Sequence, residues 1–155
     1  MASSAKDGQR IVVGVDGSPA SAAALRWAAG EAARHSARLE AVIAWRPASA
    51  ALGSPAVHPP ASSRTIEERE EDAEAVLEGV LGTVGDLSWD GLEVERRVMR
   101  GTPHRVLAEA ATGASMLVIG GSSGRLAGKK PWSTGQHVVH DAHCPVVVVP
   151  PSGDG

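Results

Sequence analysis

Gly120-Gly121-Ser122-Ser123-Gly124-Arg125 stands directly behind an apolar run, Met116-Leu117-Val118-Ile119, and opens a polar loop that reaches Ser133-Thr134-Gly135. A short amphipathic segment, Gln136 to His143, follows. Strand, glycine-rich loop and helix N-terminus, in that order, suit an anion and above all a phosphate. Glycine lets a backbone turn sharply and approach an oxygen with no Cβ in the way. The first amides of a helix lack internal acceptors and carry the positive end of its dipole. Ser133 and Thr134 offer hydroxyls, either to cap that helix or to donate to phosphate oxygens. A second polar break, Asp16-Gly17-Ser18-Pro19, puts a carboxylate at the end of another apolar run, Ile11-Val12-Val13-Gly14-Val15.

Positioning these two loops falls to elements that alternate along the chain. The run from Ile11 to Val15 is β-branched and reads as a buried strand. Ser18 as N-cap and Pro19 at the first helical position start a helix that runs to about Arg34. Its alanines allow close approach to a sheet. Leu39 to Ala44 is the second strand. Residues 46–64 form a loop rich in Pro, Ala, Ser and Gly, a length used for lids and binding loops. Thr65-Ile66-Glu67-Glu68 matches a capping box, and the helix behind it carries Ile66, Ala73, Val76, Leu77, Val80 and Leu81 on one face. Its acidic first turns read as a solvated surface with favourable charge at a helix N-terminus.

Leu92, Val94 and Val98 alternate with Glu93, Glu95 and Arg97, a strand with one wet face and so an edge strand. Gly101-Thr102-Pro103 opens a third helix with a capping hydroxyl, buries Val106, Leu107, Ala110 and Ala111, and stops at Gly113. The Met116–Ile119 strand, the glycine loop and its helix come next, and Val146-Val147-Val148-Val149 between prolines closes the sheet. The order β-α-β-α-β-α-β-α-β implies a parallel sheet with helices on both faces. Ligands of such sheets bind beyond the C-terminal ends of the strands, where the strand order reverses. If strands one and four are neighbours, Asp16 and the Gly120 loop meet there. The last strand is apolar on both faces and has nothing after it to pair with. Such an edge is normally covered, which predicts a homodimer through Val146 to Val149.

The bulk composition narrows the partners. One domain is expected over residues 9–150, with disordered tails at 1–8 and 151–155. A net charge of −3 argues against nucleic acid or an anionic membrane as a general partner. No apolar run reaches the length of a membrane span, the N-terminus lacks a signal-peptide core, and the lone Cys144 fits a reducing compartment. A cytoplasmic protein is expected. His137, His140, His143 and Cys144 lie close in sequence, but with no second ligand cluster they read as a surface helix ahead of a buried thiol. No nucleophile elbow is present, and Asp16 alone is not a catalytic mechanism. No catalytic or metal-ligating residue is assigned.

At this point the chain resembles the universal stress protein family. The residues that carry the resemblance are Ile11-Val12-Val13-Gly14-Val15-Asp16-Gly17-Ser18, Gly101-Thr102-Pro103, and Val138-Val139-His140-Asp141-Ala142-His143-Cys144-Pro145-Val146-Val147-Val148-Val149. The resemblance implies a Rossmann-like sheet of the adenine nucleotide α-hydrolase type, five parallel strands in order 3-2-1-4-5, dimerising through strand five. It also implies ATP, accompanied by Mg²⁺ bridging its phosphates. Gly14, Val15 and Asp16 would face adenine and ribose, and Ala44 the adenine. Gly120, Gly121, Ser123, Gly124 and Arg125 would lie along ribose and phosphates, and Ser133, Thr134 and Gly135 would cradle the terminal phosphates.

The family pattern is Gly, two residues, Gly, nine residues, Gly, then Ser or Thr. Gly121-Ser122-Ser123-Gly124 supplies its first half, and Thr134-Gly135 supplies the final pair in reversed order. Aligned from Cys144-Pro145 instead, Trp132 takes the glycine position and Ser133 the hydroxyl, with Lys129-Lys130-Pro131 ahead of them. A Trp at a glycine position would block close backbone approach, while the lysines would bring charge to phosphates. Two functions follow: an ATP-binding dimeric stress-response regulator with at most slow ATP hydrolysis, or a dimeric interaction module of the same fold without nucleotide. A nucleotidyl-transfer enzyme is disfavoured, because Asp16-Gly17-Ser18-Pro19 is not a histidine-rich phosphate motif.

Overall fold

The computed structural model describes residues 9–47, 66–84, 91–121 and 133–151. Five parallel strands form one sheet: β1 (Arg10–Gly14), β2 (Arg38–Trp45), β3 (Val94–Arg100), β4 (Met116–Gly120) and β5 (Val146–Val149). Their order is β3-β2-β1-β4-β5. The helices are α1 (Pro19–His35), α2 (Ile66–Val84), α3 (Pro103–Ala110) and α4 (Ser133–Asp141). The order reverses at β1, which has β2 on one side and β4 on the other, the expected five-stranded α/β arrangement.

Each face of the sheet has its own core. Ile11, Val13, Leu39, Ala41, Ile43 and Val118 meet α1 and α2 on one side, while Val12, Val42, Leu117 and Ile119 meet α3 and Val138 of α4 on the other. The alternation is that of a pleated strand buried on both faces. Alanines 24, 28 and 32 of α1 are wholly buried, which brings that helix close to the sheet. On α2, Ala73, Leu77, Val80 and Val84 are buried. Val76 is 39% exposed rather than buried with them, and its Cγ1 lies against Gly17 at the entry to α1.

Helix starts follow the local chemistry in part. The Ser18 hydroxyl accepts the Ser21 amide at 3.1 Å, as an N-cap should. Thr102 holds the N-cap position of α3 but its hydroxyl makes no capping hydrogen bond, contrary to expectation; Pro103, which has no amide to satisfy, follows it. Helix α4 begins at Ser133, three residues before the expected Gln136, and ends at Asp141. Ser133, Thr134 and Gly135 therefore belong to its first turn. The capping box at Thr65, the loop within 48–65, and the segment 122–132 with Lys129, Lys130, Pro131 and Trp132 lie outside the described residues.

A charged network holds α3 against the sheet. Arg10, the first residue of β1, donates from Nη1 to Glu40 Oε2 at 2.8 Å and to the Ala110 carbonyl at 2.8 Å, and from Nη2 to the Thr112 carbonyl at 2.6 Å. It thereby serves as the side-chain cap for the carbonyl end of α3, the end that favours a cation. Glu40 is 5% exposed and takes a second guanidinium, that of Arg97 in β3, at 3.4 Å. This buried carboxylate was not singled out in the sequence, where Glu40 is one charge in an apolar strand.

The two sheet edges differ in chemistry. On β3, Arg96, Arg100 and Glu95 are exposed, and the Arg100 guanidinium lies 5.8 Å from the Trp45 ring centroid. Charge on an edge strand opposes pairing with another chain. On β5 all four residues are half-buried valines, with Val147 and Val149 against one core and Val146 and Val148 against the other.

Candidate nucleotide-binding cleft

Beyond the C-terminal ends of the strands, at the reversal of strand order, an open cleft occupies about 490 Å³ with its mouth included. The end of β1 contributes Gly14, Val15 and Asp16; β2 contributes Val42 and Ala44; β4 contributes Ile119 and Gly120. Pro103 and Leu107 of α3 and Ser18 and Ser21 at the head of α1 complete the lining. The floor is aliphatic and the rim carries hydroxyls and one carboxylate. A flat apolar ring bearing a polar, hydroxylated extension has complementary chemistry.

Asp16 is held by its own turn. Its Oδ1 accepts the Ser18 amide at 2.8 Å, and its amide donates to Ser21 Oγ at 3.3 Å. Gly17 sits between them with φ +86°, a left-handed conformation that a side chain would strain. The carboxylate is exposed yet fixed in direction by this turn, with the dipole of α1 behind it.

Gly120 is required for a reason other than the one its sequence context suggests. A Cβ there would stand 2.5 Å from the Ala20 carbonyl carbon and 2.6 Å from its oxygen. The end of β4 runs directly beneath the first turn of α1, and glycine at 120 permits that approach. Gly121 is buried, and its amide donates to the Val149 carbonyl at 2.7 Å. That amide belongs to the sheet, as does the Val15 amide, which donates to the Val42 carbonyl at 2.9 Å.

Five of the residues assigned from the sequence, Gly14, Val15, Asp16, Ala44 and Gly120, therefore line one cleft. Gly121 adjoins it within the β4–β5 pairing. Gly135 is in the first turn of α4 with Ser133 and Thr134, whose side chains lie outside the described residues, as do Ser123, Gly124 and Arg125 entirely. Sequence reading did not assign Ser21, Val42, Leu107 or Ile119 to the site. Leu107 was legible only as part of a buried helical stripe, and nothing in a stripe tells which of its members ends at a cleft.

The His137–Cys144 stretch is not drawn together as a ligand set. His137 instead stacks on His104 of α3, with ring centroids 4.8 Å apart. His140 Nδ1 lies 3.4 Å from Asp141. Cys144 is half-buried, and burial pushes its thiol above the ordinary value while the charge of Arg10 pulls the other way. Among the described residues no group of three or more His, Cys, Asp or Glu is placed to hold a metal ion, and no helix is long and apolar enough to cross a membrane.

Comparison with known proteins agrees with this architecture. The family model described as the universal stress protein family matches residues 8–150. A universal stress protein of Mycolicibacterium smegmatis is 34% identical over 149 residues, covering 90% of this chain and 47% of that protein. The chain thus spans about half the length of the curated relatives it matches. Among solved structures, UspA from Lactobacillus plantarum superposes with a TM-score of 0.68 at 24% identity, over 92% of this chain and 97% of that one. A universal stress protein in complex with cAMP superposes with a TM-score of 0.66 at 23% identity, over 93% and 98%. With the family model spanning nearly the whole chain and the fold shared, this chain belongs to the universal stress protein family.

Proposed function

We propose that the chain is a nucleotide-binding regulatory protein that takes ATP in the cleft at the ends of β1 and β4. The observation that carries this reading is the convergence of Asp16, Ala44 and Gly120 on one cleft with an aliphatic floor. Adenine would lie on Val42, Ala44 and Leu107, and the ribose hydroxyls would donate to the Asp16 carboxylate. The phosphates would run toward the β4–α4 connection and the first turn of α4. A solved relative of the same fold is described with cAMP, which supports an adenine nucleotide as the ligand class. With no cluster of carboxylates at the described part of the cleft, Mg²⁺ would arrive on the phosphates and keep most of its water, as this ion commonly does.

Calorimetric titration of Mg-ATP into the nucleotide-free protein tests the reading. Saturable binding is expected, weakened at least about tenfold by Asp16→Ala, since a hydrogen bond to a charged group contributes about 1.5–3 kcal/mol. Absence of binding at millimolar ATP by a folded protein would contradict it and favour the interaction module without nucleotide.

The same proposal includes a homodimer through β5. The charged β3 edge is guarded, while among the described residues β5 pairs only with β4, which leaves its valines to pair across a two-fold axis. Light scattering is expected to give twice the chain mass, falling to the monomer mass for Val148→Lys, which places a charge on that edge. A monomeric wild type would remove the dimer from the account.

A further inference from the structure

The chain leaves β1 restrained at two consecutive amides. That of Val15 donates to the Val42 carbonyl at 2.9 Å and still belongs to the sheet. The next, that of Asp16, donates instead to Ser21 Oγ at 3.3 Å. Ser21 is the third residue of α1, is 3% exposed and lines the cleft. A hydroxyl buried to that degree needs partners, and all of those of Ser21 lie in the turn ahead of its own helix.

The Ser21 hydroxyl donates to the Ser18 carbonyl at 3.0 Å, and the Ser21 amide donates to Ser18 Oγ at 3.1 Å. The Ser18 amide in turn donates to Asp16 Oδ1 at 2.8 Å. Asp16, Ser18 and Ser21 are thereby closed into a ring, with Ser21 returning to Asp16 through its oxygen. A serine hydroxyl carries one proton, and here the Ser18 carbonyl takes it. Ser21 therefore has no proton to offer a ligand; what it gives the cleft is the placement of Asp16. Val76 backs the turn from α2, since a Cβ at Gly17 would stand 3.0 Å from its Cγ1. With Oδ1 engaged by Ser18, Asp16 keeps Oδ2 for a ligand hydroxyl.

We infer that Ser21 is a positioning residue of the nucleotide site, its hydroxyl fixing the backbone at Asp16 and so the aim of the carboxylate at the ribose hydroxyls. This rests on the nucleotide reading above and adds the residue that orients its carboxylate. A carboxylate already held in place loses little rotamer freedom when a ligand arrives. Without the Ser21 hydroxyl the Asp16 amide loses its acceptor, and the ligand has to order the turn as it binds. That cost falls on ligands whose ribose hydroxyls use Asp16.

Calorimetry with Mg-ATP and with the magnesium complex of 2′,3′-dideoxy-ATP, which lacks both ribose hydroxyls, tests this. The wild type is expected to prefer ATP by about tenfold. Ser21→Ala should lower that preference by about threefold, the loss falling chiefly on ATP. In the Asp16→Ala background, Ser21→Ala should leave the preference where Asp16→Ala puts it, because the two act as a unit. Circular dichroism melts would establish that the variants fold, and each preference compares two ligands on the same folded protein. A wild-type preference retained in Ser21→Ala, or an equal weakening of both ligands, would overturn the inference while leaving nucleotide binding intact. A loss of preference that persists undiminished in the Asp16→Ala background would also overturn it, by making Ser21 a direct ligand contact. If the wild type binds both ligands alike, the placement of ribose on Asp16 fails and takes this inference with it. If it binds neither, the nucleotide reading itself fails.

Discussion

Gly120→Ala is expected to destabilise the protein by about 3 kcal/mol, the upper end for overpacking a tight core. The added Cβ would meet backbone, the Ala20 carbonyl carbon at 2.5 Å, and not the far end of a side chain that can turn aside. Relief requires β4 or the first turn of α1 to move, and Ser18 and Ser21 of that turn line the cleft. Stability and ligand binding should therefore fall together. Urea unfolding measures the first and Mg-ATP titration the second. Gly30→Ala provides the contrast: a Cβ at Gly30, inside α1, meets nothing within 4 Å. That change should stabilise by about 0.5–1 kcal/mol through helix propensity. Equal stability for Gly120→Ala and the wild type would show that α1 does not pack on β4 as described.

Glu40→Ala is expected to cost about 3 kcal/mol, as removal of one partner from a buried ion pair commonly does. The carboxylate is 5% exposed and faces Arg10 at 2.8 Å and Arg97 at 3.4 Å. Without it, both guanidinium groups remain on a partly buried surface with no carboxylate between them. Arg10 also holds the Ala110 and Thr112 carbonyls, so a shift of its head releases the far end of α3. The near end of α3 supplies Pro103 and Leu107 to the cleft. Loss of Glu40 should thus loosen a helix that bears on the site from the opposite end of the sheet. Unfolding in urea, with tryptophan fluorescence as one probe, measures the loss. A change below about 1 kcal/mol, the level of an exposed pair, would show that Glu40 is solvated in the folded protein.

Strand and helix identity were legible because the two periodicities are distinct in this chain. The run from Ile11 to Val15 is too short and too β-branched for a helix, and Ser18-Pro19 marks a helix start by its chemistry. The parallel sheet followed from the alternation, and its strand order from the resemblance alone. Boundaries were less legible. Helix α4 starts at Ser133 because Ser-Thr-Gly is tolerated in a first turn, where amides need no internal acceptor, so polar residues hid the true beginning. Thr102 shows the converse: a capping residue type at a capping position whose hydroxyl makes no cap bond.

The cleft was legible at its strand ends and illegible at its walls. Asp16 and Gly120 each end or follow an apolar run, and strand ends are where parallel sheets bind ligands, while Ala44 came from the resemblance. Ser21 and Leu107 reach the same cleft from helices, and their approach depends on how those helices cross the sheet. Gly120 taught a different lesson. A glycine in a phosphate-loop context is also a glycine beneath a helix, and only the Ala20 contact separates the two demands. Glu40 and the His104–His137 pair required tertiary structure, since their partners lie 30 or more residues away in the chain.

The most direct test of the central claim is to map amide chemical shifts in the isotope-labelled protein as Mg-ATP is added. The account predicts saturable shifts concentrated at Gly14 to Ser18, Val42 to Ala44, Ile119 to Gly121 and the first turns of α3 and α4, with the far ends of β1 and β2 undisturbed. Saturable shifts confined to another surface, or no shifts at millimolar ATP, would contradict a nucleotide site at the ends of β1 and β4.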